Sequence, residues 1–237
     1  MSDLKVPRMS VIGKGSVMAT PDIGYVDLYV RAEGALLEDA MAEAKRKTDK
    51  IVDAIKGSVS EVKSVTVSDV KVGELKRSSR DSKESPKPEV IKNIFVVIPP
   101  VGDIAVKIVD MASRLGGSLQ NPEAPLSAGQ PQSAILYGLL NREGVEDSAI
   151  KKANDAVRKT AVRTGKILGK EIGRILDVTN VELSGTGDAT VKIKTSLDSK
   201  YASDYLSVSR ESVEVRVSLN VDFELIESGS RKISIKL

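Results

Sequence analysis

The chain has 237 residues, 41% hydrophobic and 29% charged, with 36 Lys and Arg against 33 Asp and Glu for a formal charge of +3. That length suits one large domain or two intimate lobes around an ample core, and the near balance of charge argues against a protein dominated by phosphate contacts. Cys, His and Trp are absent and Phe occurs only twice, which removes disulfides, thiolate nucleophiles, imidazole bases and Cys/His zinc sites and leaves little aromatic platform for stacking single-stranded nucleic acid.

From Met9 to Ala19 apolar residues fall on odd positions, with Gly13 and Gly15 among them, which predicts a strand whose glycines mark a bulge or a close approach. Thr20, Pro21, Asp22 and Ile23 read as a turn, since Pro restricts φ and Asp caps nearby amides. The chain then reverses into a strand where Val26, Leu28, Val30 and Ala32 alternate with Asp27, Tyr29, Arg31 and Glu33, the pattern of an antiparallel strand with one wet face. Leu37, Met41, Ala44, Thr48, Ile51 and Ile55 recur at spacings of four and three before Gly57, an amphipathic helix with a stop signal. Val65 and Val67 are out of phase with Val70 and Val72, so that stretch is one bulged strand or two short ones.

Lys76 to Glu89 is nearly all Ser, Pro and charge, a composition expected to make a mobile loop between two paired strands. Val90 to Ile98 follows, apolar on both faces in its second half, and needs cover on both sides. Val101 to Leu115 takes helical spacing up to Gly116 and Gly117. After an irregular, Pro-rich connection (121–132) come a short apolar strand, Ala134 to Leu140, and a third helix opening near Asp147. Ile150, Ala153, Val157, Thr160, Thr164 and Leu168 would be that helix's buried stripe. The last third is strand-rich: Ile175 to Leu183, then Val191 with Ile193, and an unbroken alternation from Val213 to Leu225. Ile233, Ile235 and Leu237 alternate with lysines and Ser in what reads as a terminal edge strand. Strand pairs with interspersed helices point to an α+β fold, antiparallel sheet with about three amphipathic helices packed on it.

None of the Gly-rich pieces makes a nucleotide site. Gly13-Lys14-Gly15-Ser16 lacks the earlier Gly and the Lys-Ser/Thr pair of a phosphate loop, Gly165-Lys166 and Gly169-Lys170 fail in the same way, and Gly185-Thr186-Gly187 has Thr190 in place of a third Gly. The paired acids Glu38-Asp39 and Glu146-Asp147 fall at expected first turns of helices, where the helix dipole explains them. No catalytic, cofactor-binding or metal-ligating residue is assigned, and no cofactor is expected. The third helix carries Lys152, Lys159, Arg163, Lys166 and Lys170 along one stripe with Lys151 and Arg158 beside it, a surface for phosphates or an anionic membrane, or simply a solvated face. No run approaches the roughly 18 apolar residues of a membrane-spanning helix, and nothing before Met9 resembles a signal peptide. A cytoplasmic location is expected, with export after removal of a leader as the alternative.

Met9-Ser-Val-Ile-Gly-Lys-Gly-Ser-Val17, Pro21-Asp22 leading into Val26-Asp-Leu-Tyr-Val30, the helix Ala40–Ile55, the helix Ala149–Gly169 and the segment Val178–Leu183 together resemble the SIMPL domain family across nearly the whole chain. Gly24 departs from the small alanine-like residue usual there, and the polar loop at 76–89 is distinctive. The resemblance implies a single SIMPL-like domain over 1–237, a mixed strand-helix fold, no known catalysis, homo-oligomeric assembly, and links to stress tolerance, cell-envelope antigens and signalling interactions. The expected function is therefore a non-enzymatic homo-oligomeric scaffold or interaction protein, stress-related in setting, whose partner is a second copy or another protein. The alternative is an anion-binding protein that places its basic third helix on nucleic acid or a membrane surface; a hydrolase that works with carboxylates and Lys or Ser, without His or Cys, is a third and lesser reading.

Overall fold

The computed structural model describes residues 6–68, 70–75, 87–119, 135–184 and 199–227. In chain order the elements are β1 (Arg8–Ala19), β2 (Ile23–Glu33), α1 (Leu37–Ser58), β3 (Ser64–Val67), β4 (Lys71–Leu75), β5 (Lys87–Ile98), α2 (Gly102–Arg114), β6 (Gly117–Ser118), β7 (Ile135–Gly138), α3 (Glu143–Ile167), β8 (Lys170–Ser184), a 3-10 turn (Ser199–Tyr201), β9 (Leu206–Ser207) and β10 (Val213–Glu227). The fold is α+β with antiparallel sheets. Two compact units divide the chain: one takes residues 20–140 and 186–213, the other residues 1–19, 141–185 and 214–237.

In the first unit β2 lies at the middle of a seven-stranded sheet of order β3-β5-β2-β7-β9, with β4 also paired to β5 and β6 to β2. Val26, Leu28 and Val30 of β2 and Ile94, Val96 and Ile98 of β5 meet Ile51 and Ile55 of α1 and Ala105, Ile108 and Ala112 of α2. The opposite face is covered as well, because Ile23, Tyr25, Phe95 and Val97 pack with Leu206, Leu136, Leu140 and Tyr201. This double cover accounts for the apolar second half of β5. It also corrects part of the wet face expected of β2: Arg31 and Glu33 are exposed, but Tyr29 is buried and Asp27 half-buried, the Tyr29 hydroxyl donating to Asp27 Oδ2 at 2.8 Å. The out-of-phase valines make two short strands, β3 and β4, both against β5.

Helix α1 buries Ala40, Ala44, Thr48, Ile51 and Ile55. Leu37 and Met41 of the expected stripe are exposed; the first turn packs Ala40 and Ala44 against Ala32 and Val90, where only small side chains fit. Asp39 Oδ2 accepts the Leu36 N–H at 3.3 Å, so Asp39 of the early acid pair is a cap. Residues 76–86 of the expected loop lie outside the described residues. Lys87, Pro88 and Glu89 are strand, paired with Leu75, Glu74 and Gly73, which moves the loop's end back by three residues.

In the second unit β10 is the middle of a three-stranded sheet of order β1-β10-β8. Strands β1 and β2 belong to different sheets, so the turn at Thr20 to Asp22 does not join a hairpin. Val213, Val215, Val217, Leu219, Val221 and Phe223 of β10 are all buried, as their alternation requires. Helix α3 starts four residues before the expected Asp147, with Glu143 and Glu146 in its first turn. It buries Ala149, Ala153, Val157, Ala161 and Gly165. Of the expected stripe only Ala153 and Val157 are among these. Ile150 and Leu168 are exposed, because the helix packs through its smallest residues at a spacing of four. The expected strands at 191–193 and 233–237 and the connection at 121–132 lie outside the described residues.

Candidate functional site

Three clusters stand out, and each can be built from its residues upward. In the first unit, Asp22 closes the open end of the β2–β7 pair. Its N–H donates to Gly138 O at 3.0 Å and its Oδ1 accepts the Leu140 N–H at 2.7 Å. Pro21-Asp22 is thus a strand-end clamp, as expected of a turn residue that caps amides. Beside it the buried Ser203 Oγ lies 2.8 Å from both Leu139 O and Tyr205 O, which share its single proton as alternative acceptors, and accepts the Leu139 N–H at 3.0 Å. Tyr25 donates to Tyr201 O at 2.7 Å. Burial, with the Asp22 carboxylate adding to it, pushes the Tyr25 phenol well above its ordinary value. A Cβ at Gly138 would lie 2.9 Å from the Tyr25 ring and 3.0 Å from Ser203 Cβ, so glycine alone fits between them. The cluster ties the segment 199–207 to the sheet; a phenol held neutral and a hydroxyl with three backbone partners are poorly prepared for acid-base work. No reading of sequence pattern had singled out Ser203. The clue was composition, since Tyr201 and Tyr205 are two of only five tyrosines and flank it closely.

In the second unit, Lys14, Gly15 and Ser16 of β1 and Glu214, Arg216, Val217 and Ser218 of β10 line a cleft of about 490 Å³. Arg216 donates to Glu214 at 2.5 Å, and this hydrogen bond, with help from Ser16, holds the Glu214 carboxyl below its usual range. A carboxylate so stabilised is a weakened base, which leaves Ser16 without an activating partner. Gly13 and Gly15 serve a different purpose. A Cβ on Gly13 would stand 2.4 Å from Val157 Cγ2 and 2.5 Å from Ala153 O, and one on Gly15 would stand 2.2 Å from Ala149 O. The α3 backbone lies directly on these glycines, the close approach that their place in a strand predicts. Gly165 likewise faces Ile172, and Gly169, at φ +66, ends α3 in the left-handed region. Gly185 to Thr190 lie outside the described residues.

The third cluster is the far face of α3. Lys151, Lys152, Arg158, Lys159, Arg163 and Lys166 are exposed. Two members of the expected stripe are engaged: Lys152 Nζ donates to Ser16 O at 3.0 Å, and Lys170, already in β8, bonds Glu227. Arg158, Lys159, Arg163 and Lys166 have no ion pair among the described residues. Glu146 is paired with Arg142 at 3.6 Å. No three acidic side chains gather in a form that could hold a metal ion among the described residues.

The family described as SIMPL, "Protein of unknown function (DUF541)", matches residues 9–223 of the chain. No curated protein matches it.

Proposed function

We propose that this chain, which belongs to the SIMPL family, works as a non-enzymatic homo-oligomeric scaffold or interaction protein, in the stress-related setting that the family resemblance implies. The observation that carries the reading is the incompletely covered face of β8. Ile175 and Val178 stand opposite the buried Phe223 and Val221 of β10, yet are 45% and 52% exposed. Apolar side chains on the core-facing side of a sheet call for a cover, and a second copy of the chain is the commonest one. Three register shifts along the β8–β10 pair bend and blunt the β8 edge, which favours contact through this face over continuation of the sheet. The polar clusters support a structural role, since Asp22, Ser203 and Glu214 each meet partners within the fold.

Light scattering on a size-exclusion column tests the assembly. A multiple of 25.4 kDa is expected at tens of micromolar protein, and the Ile175→Ser/Val178→Ser variant should return to the single-chain mass with its helix content intact. A single-chain mass for the unaltered protein defeats the proposal.

A second reading, anion binding through α3, is favoured by the run from Val157 to Lys170, which holds five cations and no acid. Binding of this kind falls steeply as salt is raised.

A further inference from the structure

The acid-free end of α3 is more than a row of charges. Helical neighbours lie four residues apart, so Arg158, Val162 and Lys166 form one surface row and Lys159, Arg163 and Ile167 the next. Val162 is 49% exposed, Ile167 76% and Leu168 54%. Val162 and Ile167 therefore stand among these exposed cations, away from the Ala161 and Gly165 side of the helix, whereas Leu168, seven residues after Ala161, caps the helix on that buried side. Asp155 and Glu171 are the nearest acids along the chain on either side. The backbone leaves the described structure at Glu227, paired with Lys170 at this same end of the unit.

We propose that this face of α3 docks on the surface of an anionic lipid bilayer, with Arg158, Lys159, Arg163 and Lys166 at the headgroups and Val162 and Ile167 entering the interface. The proposal rests on the anion-binding reading of α3 and names its partner. Charge complementarity selects an anionic surface, and the exposed aliphatics select lipid over nucleic acid. A phosphate backbone rewards the cations alone, whereas a bilayer interface takes cations and apolar side chains from one amphipathic face. With almost no aromatic residue in the chain, base stacking offers nucleic acid no compensating contact. The contact lies flat on the membrane, because no described helix is long and apolar enough to cross one.

The test is flotation of the full-length protein with phosphatidylcholine vesicles containing phosphatidylglycerol, with pure phosphatidylcholine vesicles and a short DNA duplex as comparisons. Binding to the anionic vesicles and none to the neutral ones is expected, falling at least about tenfold between about 50 mM and about 300 mM salt. R158Q/K159Q/R163Q/K166Q should lose about tenfold or more in partitioning. Val162→Ser/Ile167→Ser keeps every charge and should still lose about twofold or more. Circular dichroism of both variants should retain the helical signal, since all six side chains are exposed. Equal binding to DNA, or vesicle binding indifferent to the aliphatic double variant, overturns the lipid assignment and leaves a general polyanion surface. Binding to neither vesicles nor DNA overturns the lipid assignment together with the anion-binding reading.

Discussion

Gly13 and Gly57 have opposite reasons to be glycine, and alanine at each should act in opposite directions. At Gly13 a methyl group would strike Val157 and the Ala153 carbonyl of α3, and the helix can yield only by lifting off the sheet. We expect Gly13→Ala to lower stability by about 1–3 kcal/mol in urea unfolding. Gly57 lies near the end of α1 with nothing within 4 Å of its Cβ position, so Gly57→Ala should raise stability by about 0.5–1 kcal/mol. Tyr25 provides a pH test. Its buried phenol resists ionisation, so in the unfolded chain it ionises first, and its contribution is complete below about pH 10 and lost as pH rises beyond that. The urea midpoint should fall above about pH 10, and Tyr25→Phe should remove that part of the fall. The same variant should cost about 0.5–1.5 kcal/mol at neutral pH for the lost bond to Tyr201 O.

Strand β8 is the element whose behaviour least resembles a simple alternation. Ile172, Ile175 and Val178 stand opposite Leu225, Phe223 and Val221, at spacings of three. A register shift inserts one residue of β8 within each interval, and in this way a period of three is set against one face of β10. The strand still lies beyond the cover of α3 for much of its length, as the exposure of Ile175 and Val178 records. In protein dilute enough to be a single chain, Ile175→Ser/Val178→Ser should therefore change unfolding stability by no more than about 1 kcal/mol. Val215→Ser, at a fully buried position of β10, should cost about 2–4 kcal/mol. Similar losses at both places in a thermal or urea series would place β8 in the core of the single chain.

At the scale of the whole molecule the two proposed contacts use separate parts of the second unit and respond differently to salt. An assembly held by the apolar face of β8 should keep its mass from about 50 mM to about 1 M salt, because burial of apolar surface is not screened. Vesicle binding by α3 should be lost over the same range. Light scattering and flotation on one protein preparation check both, and loss of mass with rising salt would assign the assembly to charged side chains instead.

Local pattern was enough for much of the fold. The alternation of β10, the two-faced apolar run of β5, the glycine stop signals after α2 and α3 and the glycine approach in β1 could be read from the residues, because periodicity and backbone freedom are properties of a few neighbours in sequence; Gly57, read as the stop of α1, lies within that helix. Pro21-Asp22 was readable as a turn for the same reason. What local pattern could not carry was the partner of each face. That β1 and β2 enter different sheets, that Tyr29 is buried beside Asp27, and that α3 turns Ala149 and Ala161 inward rather than Ile150 and Leu168 all depend on residues distant in the chain. Close packing on Gly13 and Gly15 rewards small side chains more than large apolar ones, so the helix face that looks most apolar on a wheel is not the one that fits. The exposed Val162 and Ile167 became legible as part of the α3 surface only once the sheet had taken the other side of that helix.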